Sequence, residues 1–205
     1  MALMSQKLLS PDEFTRANRF HFPRHRRRFT LARSLMRLIL AHYLDSSPDA
    51  LTFSYNKQGK PELLNLPLSF NLSHSGDYAV LAVGKHHPMG IDLEFFSARP
   101  YKGIARTAFS PQENQALNLL PATIQPFAFF QTWSQKEAFI KACGLGLSYP
   151  TQQFSVPILG ANNTLIYDEI HQISWRMLSF MPHPACSAAL CYHPQIKTLQ
   201  WIDFC

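Results

Sequence analysis

The sequence predicts an α+β fold built as two similar halves, each with helices followed by short antiparallel strands. A helix start of the form Ser-Pro-x-Glu occurs at residues 10–13 and again at residues 110–113. Residues 126–146 place apolar side chains at helical spacing, whereas several shorter segments alternate apolar and polar residues as strands do. We therefore expect an N-terminal half at residues 1–98 and a C-terminal half at residues 99–205.

The composition is that of a globular, basic protein. Hydrophobic residues make up 46% and aromatic residues 13% of the 205 positions, and the formal net charge is +6. This content predicts a packed core, and the charge favours an acidic partner, a phosphate-bearing ligand or nucleic acid. No apolar run approaches the ~18 residues that span a bilayer, and residues 1–7 lack the pattern of a signal peptide. We expect a cytoplasmic protein without a membrane partner.

The four cysteines all lie in the last third of the chain, at Cys143, Cys186, Cys191 and Cys205. None forms a Cys-x-x-Cys pair, so the spacing indicates neither a zinc site nor a redox motif. Free thiols in a reducing cytoplasm are the expected state.

Two helices are expected at the start of the chain. The first begins after Ser10 and runs to about residue 20, and the second covers residues 24–43. The second helix is rich in arginine, which suits either a solvated face or the binding of phosphate. Its expected buried side is Phe29, Ala32, Leu35, Met36, Ile39 and Tyr43, and its arginines are Arg24, Arg26, Arg27, Arg28, Arg33 and Arg37.

Four strands should follow these helices, separated by turns that contain glycine and proline. In the last strand, the period of two puts Asp92 and Glu94 together on the face opposite Ile91 and Leu93. Two neighbouring carboxylates either face solvent or bind a hard divalent cation. The expected strands are residues 51–55, 68–72, 78–83 and 91–95.

Residues 95–101 are expected to link the halves, and the second half begins with a helix after Ser110. Glu113 lies at the capping-box position of this helix, so capping is its default role. The long helix at residues 126–146 comes next, and alternating segments then predict strands to the end of the chain. These strands are residues 153–158, 164–167, 173–180, 185–192 and 198–204.

The long helix carries a carboxylate on its apolar face. Glu137 lies four residues after Trp133 and three before Ile140, so it points with them towards the interior. A buried carboxylate is costly unless it is paired, hydrogen-bonded or bound to a metal. Lys141 lies one turn further on and within pairing distance. This segment alone leaves an internal ion pair and a catalytic role equally open.

Together, the polar positions indicate a metal-dependent site for a phosphorylated ligand. Asp92, Glu94 and Glu137 supply three carboxylates without a cysteine or histidine ligand set, which suits Mg²⁺ better than Zn²⁺. Basic side chains around such an ion would hold the phosphates that complete its coordination. The sequence contains no Walker loop and no Gly-x-Gly-x-x-Gly motif. The residues predict a Mg²⁺-dependent enzyme acting on a pyrophosphate-like substrate.

Five motifs, taken in order, resemble those of one enzyme family. Three of them are similar to the signature series of 4′-phosphopantetheinyl transferases, with the spacing of the larger, surfactin-synthetase-activating type. The other two resemble the family's upstream Gly-Lys-Pro motif and its Phe-Ser-x-x-Glu element. The similarity extends from about residue 16 to residue 150. The signature motifs are residues 70–76, 90–94 and 133–141, and the other two are residues 59–61 and 109–113.

The resemblance implies two similar α/β subdomains related by a pseudo-two-fold axis, with antiparallel sheets packed on helices and coenzyme A bound between the subdomains. Family members move the 4′-phosphopantetheine arm of coenzyme A to a serine of an acyl or peptidyl carrier protein, and they release adenosine 3′,5′-bisphosphate. The resemblance also implies a monomer whose partner is an acidic carrier protein of fatty-acid, polyketide or nonribosomal peptide synthesis.

The family pattern assigns roles to the matching positions. It implies that Asp92, Glu94 and Glu137 hold Mg²⁺ or Mn²⁺, and that Glu137 also helps to deprotonate the serine. Lys141 and Lys136 would neutralise charge on the pyrophosphate as the bond breaks. Glu13 stands where better-known members have a basic residue, which departs from the pattern at that nucleotide contact. The catalytic residues would be Glu137, Lys141 and Asp92, and the residues binding coenzyme A would be Arg24, Arg28, Lys60, Ser73, His74, Lys136 and Lys141.

Two other functions stay open on the sequence. A nucleic-acid-binding module that uses the arginines of residues 24–37 would explain the basic charge, but not three carboxylates that repel phosphate in the absence of a metal. A metal-dependent phosphohydrolase would use the same residues with water as the nucleophile. We favour the transferase, with no nucleic-acid partner.

Overall fold

The computed structural model describes residues 8–203, apart from the side chain of Leu147, and shows the α+β fold that the sequence predicts. Within residues 8–203, no helix combines the length and apolar character needed to cross a bilayer. The helices are α1 Pro11–Asn18, α2 Pro23–Leu44, α3 Tyr101–Ala108, α4 Pro111–Leu119 and α5 Gln125–Cys143. The strands are β1 Phe53–Tyr55, β2 Pro61–Leu63, β3 Leu68–Ser75, β4 Tyr78–Lys85, β5 Met89–Phe95, β6 Thr164–Asp168, β7 Ile173–Phe180 and β8 Cys186–Tyr192.

The strands of the described part form three antiparallel sheets. β1 pairs with β2 and β3 with β4, while β5, β8, β7 and β6 form a four-stranded sheet in that order. β5 precedes residue 98 and pairs along its whole length with β8, which follows it, so that Asp92 lies opposite Ala189. The division of the chain into halves at residue 98 stays a prediction.

β3 and β5 belong to different sheets but run side by side in the same direction, joined by side chains. Polar side chains at every second residue of β3 accept hydrogen bonds from backbone N–H groups at every second residue of β5, so all the contacts come from one face. This ladder fixes the β3–β4 hairpin against the four-stranded sheet. The bonds run from Ile91 N to Asn71 Oδ1 (2.7 Å), from Leu93 N to Ser73 Oγ (3.3 Å) and from Phe95 N to Ser75 Oγ (3.1 Å).

Helix α5 makes a very close contact with β5 at Gly90. A Cβ atom at this position would lie 2.1 Å from the carbonyl oxygen of Ala138 and 2.3 Å from the backbone nitrogen of Ala142. The helix also contacts the adjacent strand β8, where Ser134 and Ser187 share a hydrogen bond of 2.7 Å. The absence of a side chain at Gly90 therefore lets the helix backbone reach the strand and brings the polar side chains of α5 up to β5.

α5 is buried around most of its circumference because it lies between two hydrophobic clusters. Phe129 and Phe130 pack with residues of α3 and α4, whereas Phe139 and Ile140 pack against the four-stranded sheet. The helix ends before Gly144, which adopts a left-handed conformation with a φ of 75°. Gly144 is the first of the two glycines, at 144 and 146, that the sequence offers as a stop for this helix.

The predicted buried face of α2 is partly wrong. Leu35 and Tyr43 are 54% and 49% exposed, whereas Arg33 and Arg37 are buried and pair with the carboxylate of Glu13 at 2.6 and 2.7 Å. A buried charge is strongly destabilising without its partner, so α1 is held where its carboxylate meets both guanidinium groups. These two arginines support the fold, which a count of basic residues in the sequence cannot reveal.

Two strands predicted in the second half are not formed in the described residues. Residues 153–158 lie in and after a 3₁₀ turn, where the backbone N–H of Val156 donates to Glu113 Oε1 at 2.7 Å. Residues 198–203 form no strand either, and Phe204 lies outside the described residues. Leu199 packs against the cluster that contains Ile91, so apolar residues there reflect packing of the chain against the sheet. The sequence analysis also did not predict β2 or α3.

We expect Gly90→Ala to destabilise the fold by about 1–3 kcal/mol or more, because the added methyl group meets helix backbone that cannot rotate away. Gly103→Ala is the matched control. In α3, no atom of the described residues lies within 4 Å of the new Cβ, apart from its chain neighbours and the backbone of its own helix. A stabilisation of about 0.5–1 kcal/mol is therefore expected there. Urea unfolding followed by circular dichroism compares the two variants, and equal stability would contradict the close contact at Gly90.

Candidate active site

The candidate site begins with Asp92, which β5 presents towards α5. Asp92 is 5% exposed, and its Oδ1 accepts hydrogen bonds from Lys141 Nζ at 2.6 Å and from Ser73 Oγ at 2.9 Å. No donor among the described residues reaches its buried Oδ2. A buried carboxylate oxygen without a partner is costly, so this atom is positioned for a ligand that the protein chain itself does not supply.

Glu94 lies two residues further along the same face of β5 and is held by two side chains that the sequence analysis missed. Its Oε1 accepts from Trp133 Nε1 at 3.2 Å, and its Oε2 accepts from Arg99 Nη2 at 3.2 Å. Burial, and then the nearby carboxylate of Asp92, raise the pKa of Glu94. Hydrophobic periodicity places Trp133 on the apolar face of its helix but does not show what its indole N–H contacts.

Glu137 approaches Asp92 and Glu94 from α5. Burial, and then the carboxylates of Asp92 and Glu94, raise the pKa of Glu137 to about 7, while Lys141 acts in the opposite direction. The internal pair with Lys141 that the helix spacing allowed is not formed, because the ammonium group of Lys141 pairs with Asp92. Glu137 is therefore an ionisable carboxylate close to two others.

These three carboxylates are suitable ligands for a hard divalent cation. They offer only oxygen donors, Asp92 Oδ2 is buried without a donor, and the mutual repulsion that raises the pKa of Glu137 would be relieved by a positive ion. Their oxygens are not all within 4.8 Å of one another among the described side chains. Direct ligation by all three would therefore require side-chain rotation, whereas bridging water would not.

Basic groups flank one side of the carboxylates. Partial burial, followed by the charges of Lys141 and Arg28, lowers the pKa of His74, so these groups lie near one another. Arg28 itself pairs with Asp77 at 2.7 Å. Arg24 is exposed, and its guanidinium lies 5.4 Å from the centre of the Phe22 ring. The structure thus brings His74 and Arg28 towards Lys141 and leaves Arg24 at the surface of α2.

Lys60 contacts the helix rather than open solvent. Its Nζ donates to the carbonyl oxygen of Lys141 at 2.6 Å and to that of Met89 at 3.1 Å. Lys141 is among the last residues of α5, whose carbonyl groups lack partners within the helix. Lys60 therefore joins the end of α5 to the start of β5.

Lys136 lies in the interior of the protein, beside Glu113. It is 1% exposed, and its Nζ pairs with Glu113 at 2.8 Å and donates to the carbonyl oxygen of Phe154 at 2.9 Å. Glu113 also accepts from the backbone N–H of Ser110, which completes the capping box at the start of α4. This geometry supports the structural role for Glu113 and pairs the ammonium group of Lys136 with its carboxylate.

Comparisons with known proteins identify one enzyme family. Residues 88–191 match the family described as the 4′-phosphopantetheinyl transferase superfamily, and residues 2–86 match the one described as 4′-phosphopantetheinyl transferase, N-terminal. The 4′-phosphopantetheinyl transferase HetI of Nostoc sp. is 37% identical over 189 residues, which cover 89% of this chain and 77% of that protein.

Two relatives from bacilli extend the comparison. The 4′-phosphopantetheinyl transferase psf-1 of Bacillus pumilus is 35% identical, covering 85% of this chain and 75% of its own. The 4′-phosphopantetheinyl transferase Sfp of Bacillus subtilis is 34% identical, covering 72% of this chain and 66% of its own. These matches define the class of the protein as a phosphopantetheinyl transferase. The chain belongs to the 4′-phosphopantetheinyl transferase superfamily, of the Sfp type.

We expect Glu137→Gln to stabilise the protein at alkaline pH when divalent cations are chelated. The pKa of Glu137 is about 7 in the folded protein against an ordinary value of 4.5, so the folded state favours the protonated form. Ionisation of Glu137 therefore lowers the free energy of unfolding. This loss is absent below the pKa of Glu137 in the unfolded chain, grows as the pH rises towards its pKa in the folded protein, and is complete above that value. Each pKa unit corresponds to ~1.4 kcal/mol, so the Glu137→Gln variant should gain up to about 3 kcal/mol in free energy of unfolding at alkaline pH. Screening by solvent reduces this gain.

Thermal melts at about pH 5 and about pH 8 measure this difference. Glu62→Gln, which removes an exposed carboxylate, is the control and should behave like the unchanged protein at both values. A Glu137→Gln variant that is less stable than the unchanged protein at the higher pH would show that Glu137 is a stabilising ion-pair partner.

Proposed function

We propose that this protein transfers the 4′-phosphopantetheine arm of coenzyme A to a serine of an acyl or peptidyl carrier protein, with release of adenosine 3′,5′-bisphosphate. Membership of the 4′-phosphopantetheinyl transferase superfamily supports the reaction class. The observation that carries the proposal at the level of residues is the buried Asp92. It is bound to Lys141 through one oxygen and has its other oxygen free of donors from the described residues.

The proposal assigns Asp92, Glu94 and Glu137 to a divalent cation, Mg²⁺ or Mn²⁺. When bound, the ion would neutralise charge on the pyrophosphate of coenzyme A. Asp92 contributes its buried Oδ2. Trp133 and Arg99 hold Glu94 in position through their hydrogen bonds. Orientation of ligands by outer contacts of this kind commonly tunes a metal site.

Glu137 acts as the general base in this proposal. A base is most effective when its pKa lies near the working pH, and the raised pKa of about 7 meets that requirement before a cation binds. Glu137 takes the proton of the serine hydroxyl, directly or through water. The serine oxygen then forms a bond to the phosphorus atom next to the pantetheine, and the bond from that phosphorus to the bridging oxygen breaks.

Basic residues would bind the phosphates of the substrate. Lys141 is assigned to the pyrophosphate, where its charge opposes the charge that develops on the leaving group. His74, Arg28 and Arg24 are assigned to the phosphates and the nucleotide end. Ser73 acts through Asp92 and Lys141, which it contacts at 2.9 and 3.1 Å.

Lys60 and Lys136 have weaker support as ligands of coenzyme A. Lys60 already donates to two backbone carbonyl groups, and Lys136 is buried beside Glu113. A contact between Lys60 and a phosphate would require the ammonium group to leave these carbonyl oxygens. We therefore retain Lys60 as a proposed ligand and assign Lys136 to the support of α5.

The alternative of a nucleic-acid-binding module has less support than the sequence suggested. It rests on six arginines in residues 24–37, and two of these, Arg33 and Arg37, are buried against Glu13. The proposal therefore includes no nucleic-acid partner. It also includes a monomer that acts in the cytoplasm on an acidic carrier protein.

We expect Glu137→Gln to lower kcat by at least about 100-fold, as the loss of a positioned acid–base group commonly does. Asp92→Ala should lower kcat by a similar factor, because it removes a proposed ligand of the cation. The assay incubates an apo carrier protein with this protein, coenzyme A and Mg²⁺, and mass spectrometry detects phosphopantetheine on the serine. Glu62→Gln is the control and should retain full activity.

Two outcomes of this assay would contradict the proposal. Consumption of coenzyme A without any carrier protein would indicate a phosphohydrolase. Undiminished transfer in the presence of a strong chelator would remove the role assigned to the divalent cation.

The arginines of α2 make a separate prediction about coenzyme A. The double variant Arg24→Ala and Arg28→Ala should raise KM for coenzyme A about tenfold to a hundredfold, since a charge-assisted hydrogen bond contributes about 1.5–3 kcal/mol. The fall in kcat should be smaller, because the contact is remote from the breaking bond. The same variant should lose its discrimination against coenzyme A that lacks the 3′-phosphate.

The matched control removes two exposed basic residues of α3, Lys102 and Arg106, and should leave both constants unchanged. An unchanged KM for coenzyme A in the α2 variant, with a raised KM for the carrier protein, would instead assign these arginines to carrier docking.

A further inference from the structure

A second polar cluster lies at the C-terminal end of α5, and the proposed transfer does not use it. Cys143 is the last residue of α5, Asp168 is the last residue of β6, and His171 follows in the turn to β7. The sulfur of Cys143, an oxygen of Asp168 and a ring nitrogen of His171 all lie within 4.8 Å of one another. Among residues 8–203, no other three cysteine, histidine or acidic side chains meet this distance.

The other two side chains of the cluster both contact Asp168 Oδ2. It lies 2.7 Å from His171 Nδ1 and 3.1 Å from Cys143 Sγ. A tetrahedral zinc ion binds its ligand atoms at about 2.0–2.3 Å, which separates them from one another by about 3.3–3.7 Å. Small rotations of the two outer side chains would open that space. His171 can make such a rotation because its side chain is 40% exposed, and its exposure also provides an entry path.

The charge of the cluster suits a divalent cation. Asp168 is 0% exposed, and its ion-pair partner in the described part of the chain is His171. A thiolate, a carboxylate and a neutral imidazole together carry two negative charges, which one divalent cation balances. Binding would take Cys143 as the thiolate and release the thiol proton to solvent.

Other contacts hold the Asp168 carboxylate in one orientation. The hydroxyl of Tyr149 donates to its Oδ1 at 2.9 Å, as does the backbone N–H of Ile170 at 3.0 Å. The indole N–H of Trp175 donates to its Oδ2 at 3.2 Å. Outer contacts of this kind fix the orientation of a metal ligand and raise the affinity of its site.

We propose that Cys143, Asp168 and His171 bind a transition-metal cation of the zinc class, with solvent in a fourth position. Thiolate, imidazole and carboxylate groups are the ligands of zinc, whereas Mg²⁺ takes oxygen ligands. The ion would join the end of α5, two residues beyond Lys141, to the β6–β7 hairpin. Its ligand atoms differ from the carboxylate oxygens of Asp92, Glu94 and Glu137, and the proposal does not depend on the proposed transfer reaction.

Cobalt(II) is the probe, because a thiolate bound to it absorbs in the near ultraviolet and a tetrahedral site absorbs strongly in the visible. The full chain is stripped with a chelator, then titrated with Co²⁺ under reducing conditions with excess Mg²⁺ to fill carboxylate sites. We expect one equivalent of thiolate-bound Co²⁺, displaced by Zn²⁺. Cys143→Ser should abolish the thiolate band, and His171→Ala should weaken binding by at least about tenfold.

Cys186→Ser is the matched control, because Cys186 is a free thiol like Cys143 but lies in a different cluster, with Leu93. It should retain the band and the affinity. The proposal is overturned if the unchanged protein shows no thiolate band, if the band survives in Cys143→Ser, or if it requires Cys186 or Cys191 instead. Circular dichroism confirms that each variant is folded, so loss of the band reports on ligation.

Discussion

The close contact of α5 with β5 at Gly90 is the constraint on which the candidate active site depends. Because a Cβ atom there would lie 2.1 Å from the carbonyl oxygen of Ala138, the helix can reach this strand only at glycine. The contact brings Glu137 and Lys141, one helical turn apart, up to the carboxylate of Asp92. The site is thus built on two rigid elements, and rigid elements hold reacting groups more closely than loops do. Loss of that contact would separate Glu137 and Lys141 from Asp92.

Buried charges in this protein fall into two groups that differ in what completes them. Glu13 is satisfied by Arg33 and Arg37, and Glu113 by Lys136, so each group holds its elements together without a ligand. The carboxylates around Asp92 are different. There, one oxygen has no donor within the described residues, and burial followed by like charges raises the pKa of Glu137. The charges of Glu13 and Glu113 therefore support the fold, whereas the crowded, incompletely paired charges around Asp92 indicate a site for a ligand.

Motif residues also divide between these two uses. Lys136 and Glu137 are adjacent in the chain, yet successive residues of a helix point about 100° apart. Glu137 therefore faces the carboxylates of Asp92 and Glu94, while Lys136 lies in the interior beside Glu113. Lys60, from a separate motif, donates to backbone carbonyl groups at the end of α5. Membership of a motif indicates the family, but the direction of each side chain decides whether that residue contacts a substrate or the core.

The sequence by itself determined the α+β class, the limits of the long helix to within a few residues, and the grouping of Asp92 with Glu94, because these follow from local periodicity and capping. The family followed from motifs that are also local. Only the tertiary structure decided that Lys141 pairs with Asp92 and that an indole holds Glu94. It also decided that residues 153–158 form no strand. Those outcomes depend on which distant groups compete for a charge or a backbone N–H, and spacing along the chain carries no information about that competition.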